Sequence, residues 1–178
     1  PGGANVAEFW ATLTAGRSAV RRIERFDVDG LGTQFAGLGG DPVPAGLDNK
    51  ELRRQDRMTL MAMVAADEAW AQAGLDMDGE DPYRCGVIVG SGIGGLQTIS
   101  DNAVICENRG PRKVAPTFIP KGLINMAAGL LAIRYGLQGP NKGVVSACAS
   151  GNHALGDAAD CIRLGKADVV VTGGAEAG

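Results

Sequence analysis

The sequence has few aromatic residues, no strong net charge and no long apolar run. Aromatic residues make up only 4% of the 178 residues, which argues against a surface that stacks the bases of single-stranded nucleic acid. The formal net charge of −3 gives no general attraction to nucleic acid or acidic lipid, so an anionic partner must be met by a local patch. The longest apolar segment, residues 123–133, is typical of a buried helix and is too short to span a membrane. We therefore expect neither nucleic acid nor a membrane as a partner.

The cysteines and the single histidine do not form a metal-binding pattern. The four cysteines lie at positions 85, 106, 148 and 161, no two of them form C-x-x-C, and the histidine is His153. A zinc site needs four nearby ligands at recognisable spacing, which is absent. A disulfide framework is not typical of a chain with this size and spacing. We expect no metal site and a reducing, cytoplasmic location.

The pattern of apolar residues predicts one α/β domain over residues 1–178. Strands are predicted near 33–36 and over 85–89, 144–147 and 168–172, and helices over 5–16, 48–74, 94–108, 123–135 and 149–165. Residues 110–121 contain three prolines and are predicted to form a loop. Because strands alternate with helices, we expect βαβ units and a mainly parallel sheet.

Residues 144–151 are the most informative segment. An apolar, β-branched run ends in small residues, Cys148 follows at once, and an alanine- and glycine-rich helix is predicted after it. A thiol at a helix N-terminus faces unpaired backbone N–H groups and the positive end of the helix dipole, which favour the nucleophilic thiolate. The alternative is a buried cysteine that acts as a small apolar side chain. The segment predicts covalent catalysis through Cys148.

The other motifs are less specific. The glycine-rich run 90–95 matches G-x-G-x-x-G, but no second strand with an acidic end follows at the distance that dinucleotide binding needs, so we interpret it as a turn that passes close to another backbone or a ligand. The spacing of His153 from Cys148 does not support a dyad and favours a structural histidine, hydrogen-bonded within the fold. The remaining cysteines are interpreted as core or incidental thiols.

A cationic cluster is predicted on one helix. Lys50, Arg53, Arg54 and Arg57 stand at helical spacing, so they are expected to share one face, and Arg112 and Lys113 add charge on a separate loop. A solvated face is one interpretation. The other is a docking patch for an acidic protein partner or a phosphate group.

Six segments in order resemble the β-ketoacyl-[acyl-carrier-protein] synthases of the condensing-enzyme family, the type II synthases in particular. The segment from Ser146 to Ala154 resembles the active-site segment of that family. The same family is indicated by segments 90–95, 110–113, 118–120, 135–140 and 173–176. The resemblance covers essentially the whole chain. It implies a thiolase-like fold, in which two similar βαβ-rich halves pack as five layers, and it implies no cofactor.

The resemblance also implies a reaction in two stages. Cys148 accepts an acyl chain from acyl carrier protein, with its backbone N–H in the oxyanion hole. Malonyl-carrier protein then loses CO2, and its carbanion attacks the thioester, as in fatty acid elongation. Ile93 and Phe118 match positions of the acyl pocket. Five basic residues match positions near the carrier-protein docking site: Lys50, Arg53, Arg54, Arg112 and Lys113. Members of the family are usually homodimers.

The resemblance matches the N-terminal half of the family, and we expect this chain to be incomplete at both ends. The two catalytic histidines and the lysine of the family lie in its C-terminal half, so the 178-residue chain alone is expected not to condense. A polyketide ketosynthase and a thiolase remain alternatives. A non-catalytic acyl-binding partner subunit is an alternative of another class, although such subunits tend to lack the nucleophile that Cys148 retains.

Overall fold

The computed structural model describes residues 1–177, which form two compact units that divide between Asp41 and Pro42. The first unit contains helix α1 (Val6–Thr14) and an antiparallel pair of short strands, β1 (Val20–Arg22) and β2 (Phe35–Gly37). The predicted helix is confirmed, and its N-cap Asn5 accepts a hydrogen bond from the Glu8 N–H at 2.9 Å. Strand β2 lies close to the predicted 33–36, whereas β1 was not predicted.

The second unit is built on a three-stranded parallel sheet. Strand β3 (Cys85–Gly90) lies between β4 (Asn141–Val144) and β5 (Val169–Gly174). The register pairs Val87 with Asn141 and Cys85 with Val169. Six helices connect and cover these strands: α2 (Asn49–Arg53), α3 (Arg57–Ala73), α4 (Leu96–Arg109), α5 (Phe118–Gly122), α6 (Met126–Tyr135) and α7 (Ser150–Arg163). The predicted parallel sheet of βαβ type is confirmed.

Strand β3 is apolar along its whole length because helices cover both of its faces. Val87 and Val89 point into a cluster with residues of α3 and α6, among them Leu131. Ile88 points to the opposite face and packs against Ala154 of α7. All six residues of β3 are buried. This is the burial expected for a central parallel strand, and it explains why the segment reads as a continuous apolar run.

The prediction of a single helix over residues 48–74 is wrong, because the helical conformation is interrupted between Arg53 and Arg57. The buried Asp56 carboxylate caps α3 by accepting the Met58 N–H at 2.9 Å, and it accepts the Thr98 hydroxyl of α4 at 2.6 Å. Helix α2 therefore ends before α3 begins. The four basic residues at positions 50, 53, 54 and 57 do not share one continuous helix face.

Three further predicted boundaries are wrong. The strand predicted over 144–147 occupies residues 141–144, because Ser146 already belongs to the turn that precedes α7. The predicted loop over 110–121 contains a 3-10 turn, Pro111–Lys113, and the start of α5, while α6 begins at Met126 rather than at residue 123. Within residues 1–177, no helix combines the length and apolar character needed to cross a bilayer.

Candidate active site

Glycines at the carboxyl ends of β3 and β5 let the start of α7 lie directly on the sheet. A Cβ added at Gly90 would stand 2.3 Å from the carbonyl oxygen of Ser150, and one added at Gly174 would stand 2.9 Å from Gly151 Cα. Only residues without a side chain permit such approaches. The carboxyl edge of a parallel sheet is where open α/β folds bind their ligands. The close packing therefore brings the segment before α7 to that edge.

Cys148 lies in the tight turn between β4 and α7. It is exposed and occupies the middle of the 3-10 turn Ala147–Ala149, two residues before α7 begins. Ala147 has φ 50° and is the one non-glycine residue with positive φ within residues 1–177. Such a left-handed conformation is costly for a residue with a side chain, and it is found at functional turns. The predicted order of strand, turn and helix is confirmed, although the turn is longer than expected.

Hydrogen bonds hold this turn closed. The buried Ser150 hydroxyl donates to the carbonyl of Ala147 at 2.7 Å and accepts the backbone N–H of Ser146 at 2.9 Å. No acceptor among residues 1–177 takes the backbone N–H of Cys148. A thiol and an available N–H therefore stand on the same residue, which is the pairing that nucleophilic attack on a carbonyl requires.

A cleft of about 470 Å³ opens at Cys148. Its walls come from three segments, which are the loop after β3, the turn before α7 and the residues after β5. The lining residues are Gly90, Ser91, Gly92, Ile93, Ala147, Cys148, Ser150, Gly151, Gly174, Ala175 and Glu176. The structure thus brings Ile93 and Cys148 to one cleft. Phe118 begins α5, is half-buried, and is not among the described residues that line the cleft.

The glycine-rich loop is fastened by a carboxylate from the far side of the cleft. Glu176 Oε2 accepts hydrogen bonds from the Gly92 N–H at 2.6 Å, the Ile93 N–H at 3.0 Å and the Ser91 hydroxyl at 3.2 Å. Sequence reasoning missed this contact, because Glu176 is separated from the loop by more than 80 residues. In the sequence, segment 173–176 carries only the resemblance to the family. The loop does pass close to another backbone, as predicted: the Gly95 N–H donates to the Gly122 carbonyl at 3.2 Å.

The predicted basic residues form two exposed groups. Lys50, Arg53 and Arg54 lie on or just after α2, and Lys121 of α5 joins them by donating its ammonium group to the Arg53 carbonyl at 3.2 Å. We call these four residues the α2–α5 basic patch. Arg112 and Lys113 lie in the 3-10 turn after α4. None of these six side chains forms an ion pair with an acidic residue within residues 1–177. Sequence reasoning missed Lys121, which falls within the predicted loop.

The remaining cysteines and the histidine lie away from the cleft. Cys85 and Cys161 are buried, as expected for core thiols, and burial raises the pKa of Cys85. Cys106 is exposed on α4. The prediction of a hydrogen-bonded histidine is wrong, because the His153 side chain is exposed on α7 and its imidazole forms no hydrogen bond within residues 1–177. In the described part of the chain, residues 1–177, no group of three or more His, Cys, Asp or Glu side chains is arranged to hold a metal ion.

Curated relatives match this chain over almost its whole length. A 3-oxoacyl-[acyl-carrier-protein] synthase 2 from Coxiella burnetii is 42% identical over 177 residues, covering 99% of this chain and 43% of the relative. The protein of the same name from Rhizobium meliloti is 43% identical over 185 residues, covering 99% of this chain and 44% of the relative. The chain thus spans less than half the length of these relatives.

Solved structures show the same fold. A β-ketoacyl synthase from Burkholderia phymatum is 30% identical with a TM-score of 0.77, over 92% of this chain and 41% of that one. The ishigamide ketosynthase/chain length factor is 30% identical with a TM-score of 0.79, over 97% and 44% of the two chains. A type II polyketide ketosynthase in complex with its acyl carrier protein has a TM-score of 0.80 at 24% identity, over 99% and 47%. These likenesses confirm the predicted thiolase-like α/β fold.

The family model described as "Beta-ketoacyl synthase, N-terminal domain" matches residues 1–178. This match agrees with the order of motifs along the chain and with the position of Cys148 at the carboxyl edge of the sheet. The chain belongs to the β-ketoacyl synthase family and represents its N-terminal domain.

Proposed function

We propose that this chain carries the nucleophile of a condensing enzyme, which extends acyl chains bound to acyl carrier protein in fatty acid elongation. The observation that carries the proposal is the exposed Cys148 in the strained turn at the cleft. The names of the curated relatives, 3-oxoacyl-[acyl-carrier-protein] synthase 2, support the same reaction class.

The first stage is transfer of the acyl chain to Cys148. The thiolate Sγ attacks the carbonyl carbon of the carrier-bound thioester, and the carbonyl electrons move to oxygen in the tetrahedral intermediate. The Cys148 N–H, in the 3-10 turn before α7, donates to this oxygen. The intermediate collapses, the bond from carbon to the carrier sulfur breaks, and the carrier leaves as a thiol after taking a proton.

The second stage consumes the new thioester. Malonyl-carrier protein loses CO2, the electron pair of the broken bond forms a carbanion, and the carbanion attacks the carbonyl of the Cys148 thioester. The bond to Sγ then breaks, which restores the thiolate and leaves a 3-ketoacyl chain on the carrier. Neither histidine nor lysine is among the described residues that line the cleft. We therefore assign the decarboxylation to the two histidines and the lysine that the resemblance places in the C-terminal half of the family.

The partner is an acidic acyl carrier protein, and its docking site is the α2–α5 basic patch together with Arg112 and Lys113. Five of these six side chains are exposed and Lys121 is half-buried, and none of the six forms an ion pair with a described acidic residue. These observations support the assignment, since unpaired charges attract a partner of opposite sign. We further propose that Ile93 and Phe118 line the acyl pocket. Ile93 is supported by its place in the cleft. The native assembly is proposed to be a homodimer.

The test is transfer of an acyl group to the native polypeptide at its natural length. The protein is incubated with acyl-carrier protein, and its intact mass is measured. We expect one acyl group on the native protein and none on Cys148→Ser. The matched control is Cys106→Ser, since Cys106 is also exposed but lies on α4 away from the cleft, and it should be acylated normally.

The other outcomes distinguish the alternatives. Preference for acyl-coenzyme A over the carrier-linked donor would indicate a thiolase. Acylation without extension by malonyl-carrier protein, in a preparation of natural length, would exclude the condensing step. Failure of every donor to acylate Cys148 would overturn the proposal and favour a non-catalytic acyl-binding subunit.

A further inference from the structure

Glu176 holds the loop that carries Ile93. One carboxylate oxygen takes the two consecutive backbone N–H groups of Gly92 and Ile93, and also the Ser91 hydroxyl. The Ser91 oxygen in turn accepts the Gly94 N–H at 3.1 Å. Four residues in succession are therefore tied, directly or through one hydroxyl, to a single side chain from the other wall of the cleft. Hydrogen bonds to an ionised acceptor are the strongest that such a loop can make.

The position of the loop decides the shape of the cleft. A Cβ added at Gly92 would stand 3.0 Å from Glu176 Oε2 and 3.6 Å from Ala147 Cα, so the loop lies between the carboxylate and the turn that bears Cys148. Ile93 is 50% exposed and lines the cleft. Because packing covers only part of this residue, Ile93 depends on its backbone for its position. The backbone at Ile93 is bonded to Glu176.

We propose that Glu176 is a positioning residue that fixes Ile93 at the wall of the cleft and thereby sets which acyl-chain lengths reach Cys148. The proposal rests on the proposed function, since it concerns the acyl group that Cys148 accepts. Glu176 takes no part in bond making. Its contribution is selectivity, because a displaced Ile93 changes the apolar space beside the nucleophile.

The experiment measures acylation of Cys148 in the native polypeptide at its natural length, with straight-chain acyl-pantetheine thioesters of increasing length. Glu176→Ala is expected to change the ratio of rates between long and short chains by about tenfold or more, the usual worth of small changes in an apolar pocket. Glu176→Gln keeps one oxygen acceptor in place and should restore most of the native ratio. Glu107→Ala, which removes an exposed carboxylate from α4, should keep the native ratio.

A double-mutant cycle with Ile93 separates positioning from general damage. If Glu176 acts through Ile93, Ile93→Ala should shift the ratio in the same direction, and adding Glu176→Ala to it should shift the ratio little further. Additive effects of the two substitutions would overturn the proposal, and so would a native ratio in Glu176→Ala. If Glu176→Ala does not fold, Glu176→Asp is the variant to measure, because it keeps the charge but withdraws the carboxylate by one methylene. A native ratio of rates in Glu176→Asp would also overturn the proposal. Absence of acylation in the unmodified protein would instead overturn the proposed function.

Discussion

Ser150 and Ser146 are joined by a hydrogen bond of 2.9 Å, in which the backbone N–H of Ser146 donates to the Ser150 hydroxyl. The same hydroxyl donates to the Ala147 carbonyl, so one buried side chain spans the turn that presents Cys148. Ala147 holds a left-handed conformation in this turn, which costs about 1–3 kcal/mol for a non-glycine residue. The two hydrogen bonds offset that cost and keep the turn in one conformation.

Ser150→Ala should therefore loosen the turn. Removal of the hydroxyl leaves the Ser146 N–H without its partner, and we expect the free energy of unfolding to fall by about 1–3 kcal/mol. Acylation of Cys148 should slow as well, because the thiol is no longer held at one position. Denaturant unfolding and intact-mass acylation measure the two effects.

Ser100→Ala is the matched control for this substitution. Ser100 is exposed on α4, and its replacement should change the free energy of unfolding by less than about 0.5 kcal/mol. Equal stability of the two variants would mean that the Ser150 hydroxyl does not hold the turn.

Gly90→Ala tests the close approach of α7 to the sheet. The new Cβ would collide with the Ser150 carbonyl oxygen, which is part of the backbone and has little room to move. We expect a loss of about 3 kcal/mol or more in the free energy of unfolding, and loss of acylation in whatever protein remains folded. Thermal or denaturant unfolding provides the measurement.

Gly156→Ala serves as the comparison within α7. A Cβ at this position meets nothing within 4 Å, so alanine should stabilise the helix by about 0.5–1 kcal/mol. The two glycine substitutions are thus expected to have opposite signs. The close-approach model fails if Gly90→Ala is tolerated as well as Gly156→Ala.

Much of the site could be predicted from local sequence. The apolar run before Cys148 and the small residues after it predicted a turn between a strand and a helix, and that order is present. The strand ends at Val144 because the hydrogen bond between Ser146 and Ser150 closes the turn earlier than the apolar pattern indicates. The pattern of apolar residues contains no information about the Ser150 hydroxyl, which bonds to a residue four positions earlier.

Contacts between distant segments could not be predicted in this way. The bond from Thr98 to Asp56 and the bonds from the glycine-rich loop to Glu176 join residues that the fold alone brings together. The break at Asp56 followed from the first of these, since the apolar spacing on either side of it is helical. The apolar spacing along α1 predicted a helix with one apolar face, but Trp10 on this helix is 65% exposed. Periodicity identifies an apolar helix face but does not identify the element that packs against it.

Alkaline pH should destabilise the contact between α3 and α6. The phenol of Tyr135 donates to the Asp67 carboxylate and stacks on Trp70 with ring centroids 4.3 Å apart. Burial and this hydrogen bond raise the pKa of Tyr135 from 10.0 to about 12. Because the folded protein holds the phenolic proton more tightly than the unfolded chain, the contribution is complete below pH 10 and is lost as the pH rises through about 12.

At acid pH the contact between α3 and α6 depends on Asp67, whose pKa shifts in the opposite direction to that of Tyr135. Burial acts to raise the pKa of Asp67, but hydrogen bonds from Arg134 and Tyr135 and the charge of Arg134 lower it overall from 3.8. Its contribution to stability is present above that value and is lost as the pH falls below it. Tyr135→Phe should abolish the alkaline loss and reduce the acid loss without abolishing it, because Arg134 still lowers the pKa of Asp67. Tyr83→Phe, at a residue 69% exposed, should leave both losses unchanged. An unchanged alkaline profile in Tyr135→Phe would assign the loss to another group.

Charge reversal in the α2–α5 basic patch should weaken use of the carrier-linked donor. Arg54→Glu and Lys121→Glu each place a negative charge where an acidic carrier is proposed to dock, and we expect KM for acyl-carrier protein to rise about fivefold for each. The effect should shrink as salt is added, because exposed charges are screened. Steady-state kinetics of the native polypeptide at its natural length measure both.

A small acyl donor distinguishes weaker docking of the carrier protein from damage to the cleft at Cys148. Acyl-pantetheine reaches Cys148 without the protein surface of the carrier, so its KM should be unchanged in both variants. Lys166→Glu makes the same change of net charge at an exposed lysine beyond the far end of α7 from Cys148, and it should leave both donors unaffected. A fivefold rise in Lys166→Glu as well would show that net charge, rather than this patch, attracts the carrier. A rise with acyl-pantetheine would place the damage at the cleft, and the patch would lose its assignment as the docking surface.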